Sequence, residues 1–359
     1  MHQLLSQWMK RMAKRSEFQG CQSTTSTVSA LFEGLESRQL MSAGGFSREA
    51  LRSDDRGGEF HARPKNERGD RGDRQVSYSI SVIAKGLSRP TGIAITRDGG
   101  VYFTQVPTPG VGGGLNSVNK LNADGTISTL HQGEPEPTNI TIAKDGSIYW
   151  TCKSAGVILE QMPDGTTKRL LGGLNKPSGI AIDSSGENVY FTEVPTPGVK
   201  GINGGTNTVK KLNIATGVIT TLHTGDPEPT DIAVDRQGNV YWTCKSAGVI
   251  VEQTAAGVTS VVIGGLNSPT GIAIDKSGRN LYFTEVPTPG VKGSAGGTNT
   301  VNRLNLESAK RTIINSGDPD PQDIAVDRKG NVYWTCRTAG VVVEATRNRS
   351  WNDNSNDDD

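Results

Sequence analysis

From Gly86 onward the chain is written in short apolar runs of five to seven residues, rich in Val, Ile, Thr, Tyr and Phe and broken by Gly, Asp, Asn or Ser. Such runs predict β-strands joined by tight turns. In one representative stretch the strands are expected at 179–183, 188–193, 207–213 and 218–223. A helical reading would need apolar residues at i, i+3, i+4 and i+7, and a Gly or Pro about every eight residues does not permit it.

The runs recur. GLSRPTGIAITRDGGVYFTQVPTPGV from Gly86 returns from Gly173 and again from Gly265, with anchoring prolines at Pro90, Pro177 and Pro269 and periods of 87 and 92 residues. Between these lie three related halves, such as EPTDIAVDRQGNVYWTCKSAGVI, anchored at Pro137, Pro229 and Pro321. Six units therefore alternate A-B-A-B-A-B, each of four strands in about 45 residues, which predicts an all-β, six-bladed β-propeller with 24 strands. The sixth unit runs out after a third strand at 340–346, while Ser81 to Leu87 aligns with the fourth strand of another unit. The N-terminal segment is thus expected to supply the outer strand of the last blade, leaving no open sheet edge. The expected domains are an N-terminal segment at 1–45, a charged linker at 46–75, the propeller at 76–347 and an acidic tail at 348–359.

Composition narrows the function. Of 359 residues 45 are Gly, and 38 basic side chains nearly cancel 37 acidic ones, so no charge surplus points to nucleic acid. No run of even 15 apolar residues exists to span a membrane as a helix. Four cysteines are too few for a disulfide scaffold. Cys152, Cys244 and Cys336 recur every 92 residues, so they belong at the same point of three alternate blades, roughly 20 Å apart, too far for a disulfide or a shared zinc. They read as buried packing residues, and the Tyr-Phe or Tyr-Trp pair of each unit reads as core filling between blades.

Outside the ring, 47–75 carries 15 charged residues in 29 positions and reads as disordered, so its two Arg-Gly-Asp tripeptides, at Arg68 and Arg71, read as chance. Near the start, Phe32, Glu33, Leu35, Glu36, Arg38, Leu40, Ser42 and Ala43 match a segment that resembles the LEPR-XLL sorting motif of planctomycete-type bacteria, with Ser37 in place of its proline and Met41 in place of a leucine. That resemblance implies export, to the cell surface or beyond.

The repeated units PTGIAIDKSGRNLYFTEV and PTDIAVDRQGNVYWTC resemble NHL repeats, and also the signature strands of virginiamycin B lyase and of the gluconolactonase (senescence-marker) family. The resemblance covers about 270 residues. It implies that the first strand of each unit lines a central channel, and that the ends of the second strands and the loops after them share the top face. Three such loops, VPTPGVGGGLNS from Val106 and longer versions from Val194 and Val286, exceed the usual two to five residues of a hairpin connection.

On this face the candidate ligand-binding residues are Gln105, Glu193 and Glu285, which end second strands, and Lys153, Lys245 and Arg337, which follow the three cysteines. The cations are expected either to pair with nearby carboxylates or to bind an anion such as a sugar acid. Candidate metal ligands are Asp231, Asp323, Asn139, Glu193 and Glu285, because hard oxygens in a ring favour Ca²⁺. The competing reading has each Asp bonding backbone N–H groups in its own turn.

Enzyme motifs are broken where they matter. A lyase-like reaction needs a histidine base near the channel, and the propeller has only His131 and His223, both at the ends of outer strands. Gluconolactonases place Asn or Asp after the strand-opening proline, where this chain has Thr91, Thr138, Ser178, Thr230, Thr270 and Gln322. The favoured reading is an exported, monomeric binding or interaction module for a small molecule, glycan or protein. The alternatives are a metal-dependent lactonase or lyase and a structural or adhesive surface protein.

Overall fold

A computed structural model describes residues 76–108, 114–195, 206–287 and 298–348. The N-terminal segment, the linker, most of each VPTPG loop and the acidic tail lie outside the described residues.

Twenty-four strands form six antiparallel four-stranded sheets. The chain opens with β1 (Tyr78–Ala84). Blade 1 follows as β2 (Pro90–Ile95), β3 (Val101–Gln105), β4 (Ser117–Leu121) and β5 (Ile127–Gln132). Blade 2 is β6 (Pro137–Ile142), β7 (Ile148–Cys152), β8 (Val157–Gln161) and β9 (Thr167–Leu171). Blade 3 is β10 (Pro177–Ile182), β11 (Asn188–Glu193), β12 (Thr208–Asn213) and β13 (Ile219–Thr224). Blade 4 is β14 (Pro229–Val234), β15 (Val240–Cys244), β16 (Val249–Gln253) and β17 (Thr259–Ile263). Blade 5 is β18 (Pro269–Ile274), β19 (Asn280–Glu285), β20 (Thr300–Asn305) and β21 (Arg311–Ser316). Blade 6 is β22 (Pro321–Val326), β23 (Val332–Cys336) and β24 (Val341–Arg347). The architecture is the expected six-bladed propeller.

Closure also follows the expectation. β1 pairs with β24, from Tyr78 opposite Arg347 to Ala84 opposite Val342, and so becomes the outer strand of blade 6. The strand starts a few residues earlier than the sequence alignment placed it, because its pairing runs back to Tyr78.

The core lies between blades. Successive residues of a strand face opposite sides of its sheet, and both sides of each second strand are covered by neighbouring blades. In β11, Phe191 therefore packs into the cluster shared with blade 2, and Tyr190 into the cluster shared with blade 4. Trp150, Trp242, Trp334, Phe103, Phe191 and Phe283, at matching points of the six blades, are the largest fully buried side chains. Cys152, Cys244 and Cys336 are buried free thiols in three different clusters, as their spacing requires. Burial pushes the Cys152 and Cys336 thiols up to about 12, which keeps them protonated.

Each inner strand carries one irregularity. The ladder between first and second strands shifts between the opening proline and the isoleucine three residues on, in all six blades. The displaced N–H of the third residue is taken by a fully buried threonine of the second strand, as from Gly92 to Thr104 Oγ1 at 2.8 Å and from Gly271 to Thr284 Oγ1 at 2.9 Å. In the even blades the equivalent threonines take the N–H of Asn139, Asp231 and Asp323 and also donate onward to the next blade: Thr151 to Ser178 O at 2.7 Å, Thr243 to Thr270 O at 2.7 Å, and Thr335 across the closure to Thr91 O at 2.6 Å. One hydroxyl thus repairs its own bulge and latches two blades together.

Candidate functional site

The bulges define the channel. The third residue of each inner strand is Gly92, Asn139, Gly179, Asp231, Gly271 or Asp323 in blade order, so glycine alternates with an acidic or amide side chain. Asp231 Oδ1 accepts from Ile232 N at 2.8 Å and Oδ2 from Ile272 N of blade 5 at 2.7 Å. Asp323 makes the same pair, with Ile324 N at 2.8 Å and Ile93 N of blade 1 at 2.7 Å. Asn139 accepts from Ile140 N at 2.6 Å and donates Nδ2 to Asp231 Oδ1 at 2.7 Å. Each acid therefore caps a bulge donor in its own blade and another in the next one.

Two carboxyl groups meet at the axis. Burial pushes Asp231 up to about 6. Asp323 is held well above the usual carboxylate range, by burial first and by the charge of Asp231 second, so it keeps its proton and donates a hydrogen bond to Asp231. Asn139, where the other two even blades have Asp, spares the axis a third acid. Below this ring lies a cavity of about 190 Å³, walled by the Ile-Ala-Ile and Ile-Ala-Val segments of the inner strands and by Ile140-Thr141-Ile142 of blade 2.

The ends of the second strands are equally committed. Gln105 Oε1 accepts from Ser88 N at 2.6 Å, Glu193 Oε1 from Asn175 N at 2.6 Å and Glu285 Oε1 from Asn267 N at 2.7 Å. In each odd blade this side chain ties down the segment leading into the inner strand. The second oxygen of Glu193 takes Thr208 and Lys210, and that of Glu285 takes Thr300, Asn302 and Arg311. The acceptors expected to ligate a cation thus hold internal donors. Among the described residues no group of three or more His, Cys, Asp or Glu is arranged to hold a metal ion.

The even blades add a network that the repeat pattern only hinted at. Trp242 Nε1 donates to Asp226 Oδ2 at 2.6 Å, while His223 lies over the same indole and reaches Asp226 Oδ1 at 3.2 Å. In blade 6, Trp334 donates to Asp318 at 2.7 Å and Asn315 replaces the histidine at 2.7 Å. Blade 2 keeps His131 over Trp150, yet the Trp150 N–H is buried without a partner. These histidines seal the entries to even blades, away from the channel, so they are placed to support the fold and not to act as a base there.

Six residues ahead of the inner prolines have left-handed backbone, with φ between 51° and 58° at Arg89, Glu136, Lys176, Glu228, Ser268 and Asp320. None is glycine, and each such position costs on the order of 1 kcal/mol or more. The carbonyl of each accepts from the residue that follows the second strand, as Lys153 N to Glu136 O and Lys245 N to Glu228 O at 3.0 Å. Nothing in composition or periodicity marks this conformation.

That turn places the three predicted cations beside three acids without pairing them. Glu136 takes the Ser154 hydroxyl, Glu228 the Ser246 hydroxyl, and Asp320 the Thr338 hydroxyl at 3.1 Å. Among the described residues the side chains of Lys153, Lys245 and Arg337 make no ion pair, and Arg337 Nε is buried without a partner. Of the two uses expected for these cations, internal pairing is not seen.

These features define a closed six-bladed propeller with a plugged axis and a strained, cation-bearing upper rim. No family model and no curated protein matches the sequence. Solved structures do match the fold. Virginiamycin B lyase from Staphylococcus aureus is 18% identical, with 75% of this chain and 99% of that one covered and a TM-score of 0.52. A gluconolactonase from Xanthomonas campestris is 14% identical over 76% of this chain and 90% of its own, with a TM-score of 0.61. A chain of a nidogen/laminin complex is 20% identical over 64% and 80%, with a TM-score of 0.50. At these identities the likeness shows the fold alone.

Proposed function

We propose that the protein is an exported binding module whose ligand face is the upper rim of the propeller, and that its ligand is an acidic glycan or acidic protein segment. The observation that supports this is the set of three threefold-related cations, Lys153, Lys245 and Arg337, which make no ion pair among the described residues, on a rim where Glu136, Glu228 and Asp320 each hold a hydroxyl. Unpaired cations close to a desolvated surface favour anionic partners. Catalysis has less support: the channel acids serve bulge donors, and the histidines sit in the entries to even blades.

Polygalacturonate is a suitable probe. It is expected to bind the full-length protein, and the Lys153→Ala/Lys245→Ala/Arg337→Ala variant is expected to lose about tenfold or more in affinity, or 1.4 kcal/mol, with its Tm preserved. Equal binding by the folded triple variant defeats the reading. The expected Ca²⁺ is tested on the same sample, since a Tm indifferent to both calcium and chelator removes it. Export is tested by fractionating cells that make a tagged chain; an entirely cytoplasmic pool defeats that part.

A further inference from the structure

The bottom of blade 1 differs from every other blade, and the difference opens a cavity. Between paired Ile95 and Val101 the turn has five residues, where blades 3 and 5 have six between Ile182 and Val189 and between Ile274 and Leu281. The facing turn is shorter as well, five residues between Leu121 and Ile127 against six between Leu212 and Ile219 and between Leu304 and Arg311. In blades 3 and 5 the longer turns carry Ile214 and Leu306, which pack on the inter-blade clusters and bond Glu187 O and Arg279 O through their N–H groups at 2.9 and 2.8 Å. They also carry Asn188 and Asn280, which clamp Asp183 and Asp275. Blade 1 has Ala123 and Gly100 in those places.

Even blades have equally short turns, but there a glutamate closes the gap by accepting from the tyrosine hydroxyl: Tyr149 to Glu160 at 3.1 Å, Tyr241 to Glu252 at 2.9 Å and Tyr333 to Glu344 at 2.9 Å. Opposite Tyr102 stands Lys120, with its ammonium 5.5 Å from the ring centroid. Of the six blade tyrosines, five are buried and Tyr102 is only partly buried. Blade 1 thus combines the short turns of one blade type with the basic cross-strand partner of the other. The result is a cavity of about 820 Å³ across the bottoms of blades 6, 1 and 2, within the range of about 300–1,000 Å³ that small-molecule sites occupy.

Its wall carries three cations, Arg97, Lys120 and Lys144, and three carboxylates, Asp98, Asp145 and Glu344. The carboxylates on its wall are in use: Asp98 accepts from Thr96 at 2.5 Å, Asp145 from Ser147 at 2.9 and 3.0 Å, and Glu344 from Tyr333. The cations are less committed: among the described residues Arg97 and Lys144 make no ion pair or side-chain hydrogen bond, while Lys120 stands over the Tyr102 ring and, after the Thr96 hydrogen bond, helps by its charge to hold Asp98 below the usual carboxylate range. We propose that this cavity binds a small ring-bearing carboxylate, its ring against Tyr102 and its carboxylate held by Lys120 with Arg97 or Lys144. The site lies at the opposite end of the inner strands from the rim cations and does not depend on the function proposed for them.

The test is ligand-observed NMR on the full-length protein with benzoate and with glucuronate, which separate an aromatic acid from a sugar acid. Saturable binding of either is expected, weakened about tenfold or more by Ala123→Ile, which restores the filling residue of blade 3, and unchanged in the triple rim variant. The Arg97→Gln/Lys144→Gln variant removes surface charges alone and is expected to weaken binding likewise, so the proposal stays testable should Ala123→Ile misfold. Failure of both probes to saturate, or binding that survives in the Arg97→Gln/Lys144→Gln variant, overturns the proposal.

Discussion

Odd and even blades share one strand plan and solve the crowding at the propeller axis in opposite ways. Even blades send an Asn or Asp inward from the bulge, and odd blades place Gly at the same point. The two choices depend on each other. A Cβ on Gly179 would lie 2.6 Å from Asp231 Cα, one on Gly271 2.7 Å from Asp323 Cα, and one on Gly92 2.7 Å from Asn139 Cα. These contacts are with backbone, which cannot move aside. An even blade therefore fits beside odd blades, two odd neighbours would leave bulge donors uncapped, and two even neighbours would collide. The structural unit is a pair of blades, and only an even number of blades closes such a ring without a mismatch.

The largest test breaks that fit directly. Gly179→Ala is expected to cost about 3 kcal/mol, at the upper end of overpacking penalties, and to lower Tm well below that of Gly172→Ala, whose added Cβ would meet the flexible Arg169 side chain at 3.4 Å. A Gly179→Ala protein as stable as the parent would show that the two blade types are not complementary at the axis.

Charge at the axis sharpens the comparison next. The native Asp231 and Asp323 keep protons that the unfolded chain releases above its ordinary value of 3.8. The folded state then binds more protons, so stability is full below about pH 4 and falls as pH rises through about 6 and beyond, by on the order of 3 kcal/mol from Asp231 alone. Thermal melts from pH 4 to 8 should show this decline. Asn139→Asp, which puts a third acid on the axis, should steepen it, and a slope left unchanged by that substitution would contradict the shared-proton arrangement.

The smallest effect separates even blades from one another. Trp242 donates to Asp226, whereas the Trp150 N–H is buried without a partner. Trp242→Phe should therefore cost about 1 kcal/mol more than Trp150→Phe, read as a difference between two denaturation midpoints. Equal costs would mean that the indole bond in blade 4 contributes nothing net.

Much of the ring was legible from residue order. Gly, Asp and Asn turns delimited the strands of the representative stretch to within one or two residues, and the unpaired third strand of the last unit called for an N-terminal partner, which β1 supplies three residues earlier than aligned. The site was legible in part. The candidates Gln105, Glu193, Glu285, Asn139, Asp231 and Asp323 all occupy structural posts, but the order of residues does not say whether an oxygen meets a cation or a backbone N–H. Asp231 reaches Ile272, 41 residues away, and Asp323 reaches Ile93, 230 residues away. The blade 1 cavity left a trace in two turns each one residue short, a signal easily passed over because short turns are harmless in even blades.

Repetition made the strand plan, the blade count and the closure readable from the chain alone, since each depends on local turn chemistry and on the two-residue period of a sheet. Which polar groups are free depends on what the neighbouring blade offers. The tertiary structure alone decided that the axial acids cap bulges, that Lys153, Lys245 and Arg337 stand unpaired, and that Tyr102 is only partly buried, because each outcome is set by contacts between blades that are far apart in sequence and a few ångströms apart in space.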